Sequence, residues 1–224
     1  TRLLIINYPN NPTGKILTEA DREVLAAYMR KYPDVILLSD EIYEKIIYPG
    51  YEAVSMASYP DLADRVIIVN GFSKSSAMTG WRLGYLACSD EIFKVVMKLF
   101  QHTMSCTSGF LQKAAVVALD CKEETEQMRQ EYEKRSQILY KGMKDIPHVE
   151  MLPPEGAFYA WVKFDLGLDS QQLCDMLLEK AKIAGVPGIA YGEEEKMCVR
   201  FSYAASEESL RQMLVNLKQL MEQM

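Results

Sequence analysis

The chain has 224 residues, 49% of them hydrophobic, which is enough apolar material to bury a sizeable core and argues against disorder. Its formal net charge of -6, with lysine and arginine scattered along the chain, argues against a nucleic-acid-binding surface. Small molecules are therefore the expected partners.

The five cysteines lack CxxC spacing and there are two histidines, so no metal site is expected. Reduced thiols are typical of the cytoplasm, which is the expected location. No apolar run reaches the roughly 18 residues that cross a bilayer, so no membrane association is expected. The chain begins at Thr1, directly before the apolar run 3–6. It is therefore expected to be a fragment of a longer protein.

The first part of the chain alternates strand-like and helical segments. After the apolar run 3–6, Thr18 suits a helix N-cap with Asp21 in the first turn. Four residues at helical spacing predict the buried face of that helix: Val24, Leu25, Tyr28 and Met29. Continuous apolar runs at residues 35–38 and 66–69 are typical of strands in a parallel sheet, which gives a βαβ pattern.

The later part predicts two domains. Residues 83–88 read as a strand, and helical spacing then extends from about 90 to 144, with an acidic break near 121–126. Further segments are predicted as strands at 157–164, near Val186 and at 197–203, and as helices at 170–184 and after Ser206. We expect an α/β domain at residues 1–120, followed by an α+β domain at residues 121–224.

Ligands of doubly wound sheets bind beyond the carboxyl ends of the parallel strands. Asn11 follows the first apolar run, Asp40 ends the second, and Lys74 follows the third. These three residues are therefore expected to converge on one crevice.

Lys74 has several interpretations, of which a solvated surface lysine is the commonest. A phosphate-binding loop would need glycine where Ser73 stands, and a Ser-x-x-Lys pair would need serine at Gly71. A Schiff-base lysine with a partly desolvated amine remains.

The segment GFSKSSAMTGWRLGY around Lys74 closely resembles the lysine motif of class I aminotransferases, which use pyridoxal phosphate (PLP). The segments YPNNPTG, SDEIY, PEGAFY and VRFSY accompany it in the family's order. The resemblance covers essentially the whole chain. It implies the C-terminal part of the large domain of a fold type I PLP enzyme similar to aspartate aminotransferase, followed by a small α+β domain.

The resemblance implies that Lys74 carries the cofactor and moves protons, while Asp40 holds a proton on the pyridine nitrogen. It implies that Asn11 and Tyr43 donate hydrogen bonds to the phenolic oxygen, with Asn11 also contacting substrate. Each residue has a structural alternative: Asp40 as a helix cap, Asn11 as a turn residue, and Tyr43 as a core aromatic.

The resemblance implies that Arg82 binds the cofactor phosphate and that Ser73 makes a further contact to it. Gly71 stands at a position where the family often has serine or threonine. It also implies that Arg200 binds the substrate α-carboxylate. Because side chains alternate between the two faces of a strand, Arg200 is expected on the face opposite to Val199 and Phe201. Three neighbouring aromatic residues are expected to serve packing: Trp81, Phe158 and Tyr159.

The implied activity is transfer of an amino group between an amino acid and a 2-oxo acid, with amino-acid specificity left open. A PLP-dependent carbon-sulfur β-lyase, or an aminotransferase-like ligand-sensing domain of a transcription regulator, are the alternatives. The family is usually homodimeric. The 224-residue chain alone is expected to be inactive, to hold PLP weakly or not at all, and to self-associate through apolar surface near residues 3–6 and 66–69.

Overall fold

The computed structural model describes residues 1–192 and 197–224. The chain forms two compact units. The first unit comprises Thr1–Pro9 and Ile16–Met128, and the second comprises Asn10–Lys15 and Arg129–Met224. The domain boundary at residue 120 stays a prediction.

The first unit is built on a four-stranded sheet of order β1-β2-β3-β4. Its strands are β1 (Leu3–Asn7), β2 (Ile36–Asp40), β3 (Val66–Gly71) and β4 (Gly84–Ala87). The first three strands are parallel and β4 is antiparallel to β3. The carboxyl ends of β1, β2 and β3 therefore lie along one edge, which agrees with the predicted α/β class.

Helix α1 (Glu19–Lys31) begins as predicted, with a capping box between Thr18 and Asp21. Its predicted buried face is partly wrong, because Val24 is 70% exposed. The helix instead buries Ala26 and Met29 against the core. Val24 lies on the opposite face of the helix from Ala26 and Met29, since successive helical residues are about 100° apart.

The predicted long helical stretch is three helices: α2 (Asp90–Thr103), α3 (Gly109–Asp120) and α4 (Lys122–Met143). The predicted break near 121–126 is confirmed at Cys121, which separates α3 from α4, but most of the acidic segment is helical. Glu123 and Glu124 lie in the first turn of α4, where carboxylates favour the helix N-terminus.

The second unit holds an antiparallel sheet of order β5-β6-β8-β7. Its strands are β5 (Val149–Met151), β6 (Tyr159–Phe164), β7 (Val186–Pro187) and β8 (Cys198–Ser202). The second unit also contains residues 129–143 of α4 and the helices α5 (Ser170–Ala181) and α6 (Glu207–Met221), and Ser206 caps α6 as predicted. Large buried side chains from both kinds of element form the core: Phe164, Leu173, Leu177, Phe201 and Leu217.

Across the described residues, no helix combines the length and apolarity needed to span a membrane. The same residues contain no cluster of histidine, cysteine, aspartate and glutamate able to hold a metal ion.

Candidate active site

Asp40 ends β2 and is held there by its own backbone. Its carbonyl accepts hydrogen bonds from the Tyr8 amide (3.2 Å) and from Nδ2 of Asn7 (3.1 Å). Its carboxylate Oδ1 accepts one from the Ile42 amide at 3.2 Å, which starts a turn rather than a helix. The capping alternative is thus partly correct, and it leaves the second carboxylate oxygen for other contacts.

Lys74, Asp40 and Tyr43 lie close together in the first unit. Burial raises the pKa of Asp40, while the nearby Lys74 charge and the Ile42 hydrogen bond act in the opposite direction. The Lys74 Nζ lies 6.0 Å from the centre of the buried Tyr43 ring. Asp40 therefore ends β2 with Lys74 nearby in the loop after β3, and a shared site for the two residues stays a prediction.

The loop after Lys74 is closed by its own hydrogen bonds. Thr79 Oγ1 donates to the Ser73 carbonyl at 2.8 Å, and Arg82 Nη1 donates to the Thr79 carbonyl at 3.0 Å. Arg82 has a left-handed backbone, with φ of 54°, and such strain persists where the surrounding structure fixes it, often at functional sites. The guanidinium is thus held at the end of the loop that carries Lys74.

Gly71 has a packing reason for lacking a side chain. A β-carbon there would lie 2.9 Å from Gly84 Cα and 2.9 Å from the Leu83 carbonyl oxygen. Both are backbone atoms of the neighbouring segment and have little freedom to move. The departure from serine or threonine at this position therefore follows from the close approach of β3 and β4.

These groups fit PLP by their chemistry: an amine for its aldehyde, a carboxylate for its pyridine nitrogen, a phenol for its phenolic oxygen and a guanidinium for its phosphate. Two cavities flank them. One of about 220 Å³ is lined by Ser39 and Glu41, and one of about 440 Å³ by Gly71 and Ser75. Asp40 and Lys74 line neither of these cavities.

In the second unit, Arg200 lies in the middle of β8, with Val199 and Phe201 buried on the opposite face as predicted. Its Nη1 donates a 2.8 Å hydrogen bond to Oδ1 of Asn11. The expectation that Asn11, Asp40 and Lys74 converge on one crevice stays a prediction, because Asn11 and Arg200 belong to the second unit.

The segment Asn10–Lys15 is fastened within the second unit by three contacts. The Gly14 carbonyl accepts from the Glu155 and Gly156 amides at 3.0 and 2.9 Å, and Lys15 Nζ lies 2.6 Å from Glu155 Oε1. Glu155 and Gly156 belong to the segment PEGAFY. This segment therefore holds the loop that carries Asn11, beside Arg200.

Arg200 has unused hydrogen-bonding capacity. Among the described residues, its Nε is the one buried side-chain nitrogen or oxygen that has no hydrogen-bond partner. Leaving such a buried donor unpaired costs on the order of 1–3 kcal/mol, and native orphans of this kind call for an explanation such as a ligand. A guanidinium edge with a free donor suits a carboxylate, which can accept two parallel hydrogen bonds.

Two tyrosines surround the Arg200 guanidinium, whose Cζ lies 4.5 Å from the Tyr159 ring centre and 5.6 Å from that of Tyr191. Tyr159 was expected to serve packing, and it does pack on Phe158 with ring centres 4.8 Å apart. It also contacts Arg200, which the sequence did not indicate. Tyr191 was missed altogether, because a tyrosine in a glycine-rich turn gives no signal of its own.

Residues 1–217 match the family described as aminotransferase class I and II. Aromatic-amino-acid aminotransferase 2 of Thermococcus litoralis is 37% identical over 227 residues, covering 100% of this chain and 58% of the relative. The aspartate aminotransferase of Pyrococcus abyssi is 37% identical, covering 99% of this chain and 57% of the relative. The chain belongs to the aminotransferase class I and II family.

The fold supports the same conclusion. The solved structure of an aromatic aminotransferase from Pyrococcus horikoshii OT3 superposes with a TM-score of 0.96 at 37% identity, covering 100% of this chain and 60% of that one. The chain thus spans about three fifths of the length of these relatives, 57–60%. The predicted family is confirmed, and PLP is the cofactor that this family implies.

Proposed function

We propose that this chain provides the lysine-bearing part of a PLP-dependent aminotransferase, which moves an amino group from an amino acid to a 2-oxo acid. The position of Asp40 at the carboxyl end of β2 and of the Lys74 Nζ 6.0 Å from the centre of the Tyr43 ring carries the proposal. Aminotransferases named for aspartate and aromatic amino acids are among the relatives, so these are the substrate classes to test first.

In the first unit, Lys74 is the attachment point of the cofactor, and its Nζ takes and returns the proton at the substrate α-carbon. Bound PLP supplies an electron sink, which stabilises negative charge at that carbon. Asp40 holds a proton on the pyridine nitrogen, and the Tyr43 hydroxyl hydrogen-bonds to the phenolic oxygen. Arg82 pairs with the phosphate, with Ser73 as an additional donor.

In the second unit, Arg200 binds the substrate α-carboxylate through its unpaired Nε donor, and Asn11 orients the guanidinium. Support comes from the 2.8 Å hydrogen bond between Asn11 and Arg200 and from the unpaired Nε. The contact of Asn11 with the phenolic oxygen of the cofactor, which the resemblance implies, stays a prediction.

Borohydride trapping tests the assignment of Lys74. The chain is incubated with PLP, reduced, digested and mapped, and the label is expected mainly on the peptide containing Lys74. Lys74→Ala should lose that label because, among the described residues, Lys74 is the lysine whose charge acts on Asp40. The control Lys45→Ala, which removes an exposed lysine beside Glu44, should retain it.

Equal labelling of several lysines, or an unchanged label in Lys74→Ala, would contradict the assignment. Where turnover occurs, product analysis separates the remaining alternatives. Transamination yields a new amino acid, whereas a carbon-sulfur β-lyase yields pyruvate and ammonia.

We further propose a cytoplasmic location and a homodimeric assembly. All five cysteines are free thiols, which is usual in a reducing compartment. Light scattering on the protein in a reducing buffer tests the assembly.

A further inference from the structure

Tyr191 is fixed in place by the turn that precedes it. The turn Gly188–Ala190 follows β7, and the Tyr191 amide donates to the Gly188 carbonyl at 2.8 Å. Within the turn, the Ile189 amide donates to the hydroxyl of Ser170 at 3.1 Å, and Ser170 is completely buried. The position of Tyr191 is therefore set by the framework of the second unit.

The ring of Tyr191 is oriented by the sheet. It meets Trp161 edge-on, with ring centres 5.6 Å apart and planes at 86°. Trp161 is buried and is the cross-strand partner of Arg200, so both side chains lie on the same face of the sheet. Trp161 thus holds the Tyr191 ring beside the guanidinium.

The Tyr191 hydroxyl is available as a donor. Burial raises the pKa of Tyr191, while the Arg200 charge and a hydrogen-bonding interaction from Arg200 to the hydroxyl oxygen act in the opposite direction. The hydroxyl therefore keeps its proton at neutral pH, and it lies within electrostatic reach of a guanidinium whose Nε has no partner.

We propose that Tyr191 is a carboxylate-binding residue that works together with Arg200. Its ring covers one side of the guanidinium, and its hydroxyl donates a hydrogen bond to the carboxylate of the amino acid or 2-oxo acid. This inference rests on the proposed carboxylate role of Arg200 and adds a second donor from a different element. It also explains why a tyrosine lies where a phenylalanine would give the same packing.

The test follows the Arg200 Nε–H signal directly by NMR of the chain with isotope-labelled arginine. Arg200→Lys assigns the signal by removing it. Titration with 2-oxoglutarate should shift the signal in the unsubstituted chain. Tyr191→Phe keeps the ring and should weaken binding by about tenfold, the order expected for losing one hydrogen bond to a charged group.

Tyr140→Phe is the matched control. Tyr140 belongs to the same unit and its ring lies 4.5 Å from a different cation, Lys144 Nζ, so 2-oxoglutarate affinity should not change. Unchanged affinity in Tyr191→Phe would overturn the role of Tyr191 while leaving that of Arg200 intact. Absence of any shift of the Arg200 signal in the unsubstituted chain would overturn both roles.

Discussion

At the scale of single residues, the charges of the candidate site work against the stability of the chain. Burial disfavours the charged form of Asp40, and the attraction of Lys74 offsets this effect incompletely, so the pKa of the carboxyl is raised. Such conflicts are common where side chains are placed for chemistry rather than for folding. The proposed pyridine contact uses the ionised carboxylate, the form that burial penalises here.

Asp40→Asn should therefore stabilise the PLP-free chain at neutral pH. The folded-state pKa is raised above the ordinary value of 3.8, so ionised Asp40 lowers stability at pH above the folded-state pKa, and this loss disappears as pH falls below 3.8. The gain should be less than about 1 kcal/mol, since the half-exposed carboxyl is screened by water.

Urea unfolding of both chains at pH 7 and pH 4.5 measures this difference. The advantage of Asp40→Asn should shrink at the lower pH. Asp64→Asn, at an exposed position of the same unit, serves as the control. A larger advantage at pH 4.5 than at pH 7 would show that burial does not dominate at Asp40.

At the scale of elements, the contact between β3 and β4 depends on two glycines. Gly71 pairs with Gly84 in the antiparallel register, and the two backbones leave no space for a β-carbon on Gly71. Strand interiors disfavour glycine, so a pair of opposed glycines indicates close backbone approach. The loop carrying Lys74 starts directly after this contact.

Gly71→Ser should destabilise the chain by about 1–3 kcal/mol, the usual cost of overpacking, and should not restore a phosphate contact. Gly80→Ser is a matched control in the loop that follows, because a β-carbon on Gly80 meets no atom within 4 Å. Thermal unfolding of the two variants gives the comparison. Equal melting temperatures would show that β4 can move away from β3 without loss.

Much of the element pattern could be predicted from the sequence. The Thr18 and Ser206 caps and the apolar runs of β2 and β3 were confirmed, because capping chemistry and strand periodicity are local. The antiparallel direction of β4 and the loop between α2 and α3 were not predicted. Strand direction depends on pairing between distant segments, and helical spacing continues across short interruptions.

In the candidate site, too, local motifs could be predicted from the sequence, whereas contacts between distant segments could not. The motifs in the sequence predict the roles of Lys74, Asp40 and Arg200. The hydrogen bond from Arg200 to Asn11 and the approach of Tyr191 depend on segments 189 and nine residues away from Arg200 along the chain. Such contacts come from tertiary packing, which a single sequence does not reveal.

At the scale of the whole molecule, apolar surface is the main departure from an ordinary globular chain. Helices α2 and α3 bury little: Val95 and Leu99 on α2 are 67% and 68% exposed, and Phe110 on α3 is 72% exposed. Residues 3–6 are exposed in part, as predicted, with Ile5 at 63%. The exposure predicted for residues 66–69 is wrong, because Val66 is buried and residues 67–69 are half-buried.

The 224-residue chain should therefore self-associate, and α2 should take part. Burying a large aliphatic side chain is worth about 1.5–3 kcal/mol, so a few such residues on one helix face suffice for association at moderate concentration. The double variant Val95→Glu, Leu99→Glu places two charges on that face, one helical turn apart, and should shift the chain towards its monomer mass of 25.5 kDa.

Val24→Glu is the control, because Val24 is 70% exposed on α1 but has charged neighbours, so its replacement should leave the mass unchanged. Light scattering over a wide concentration range measures the mass. A monomer at every concentration, or equal association of the double variant, would show that this helix face does not drive assembly.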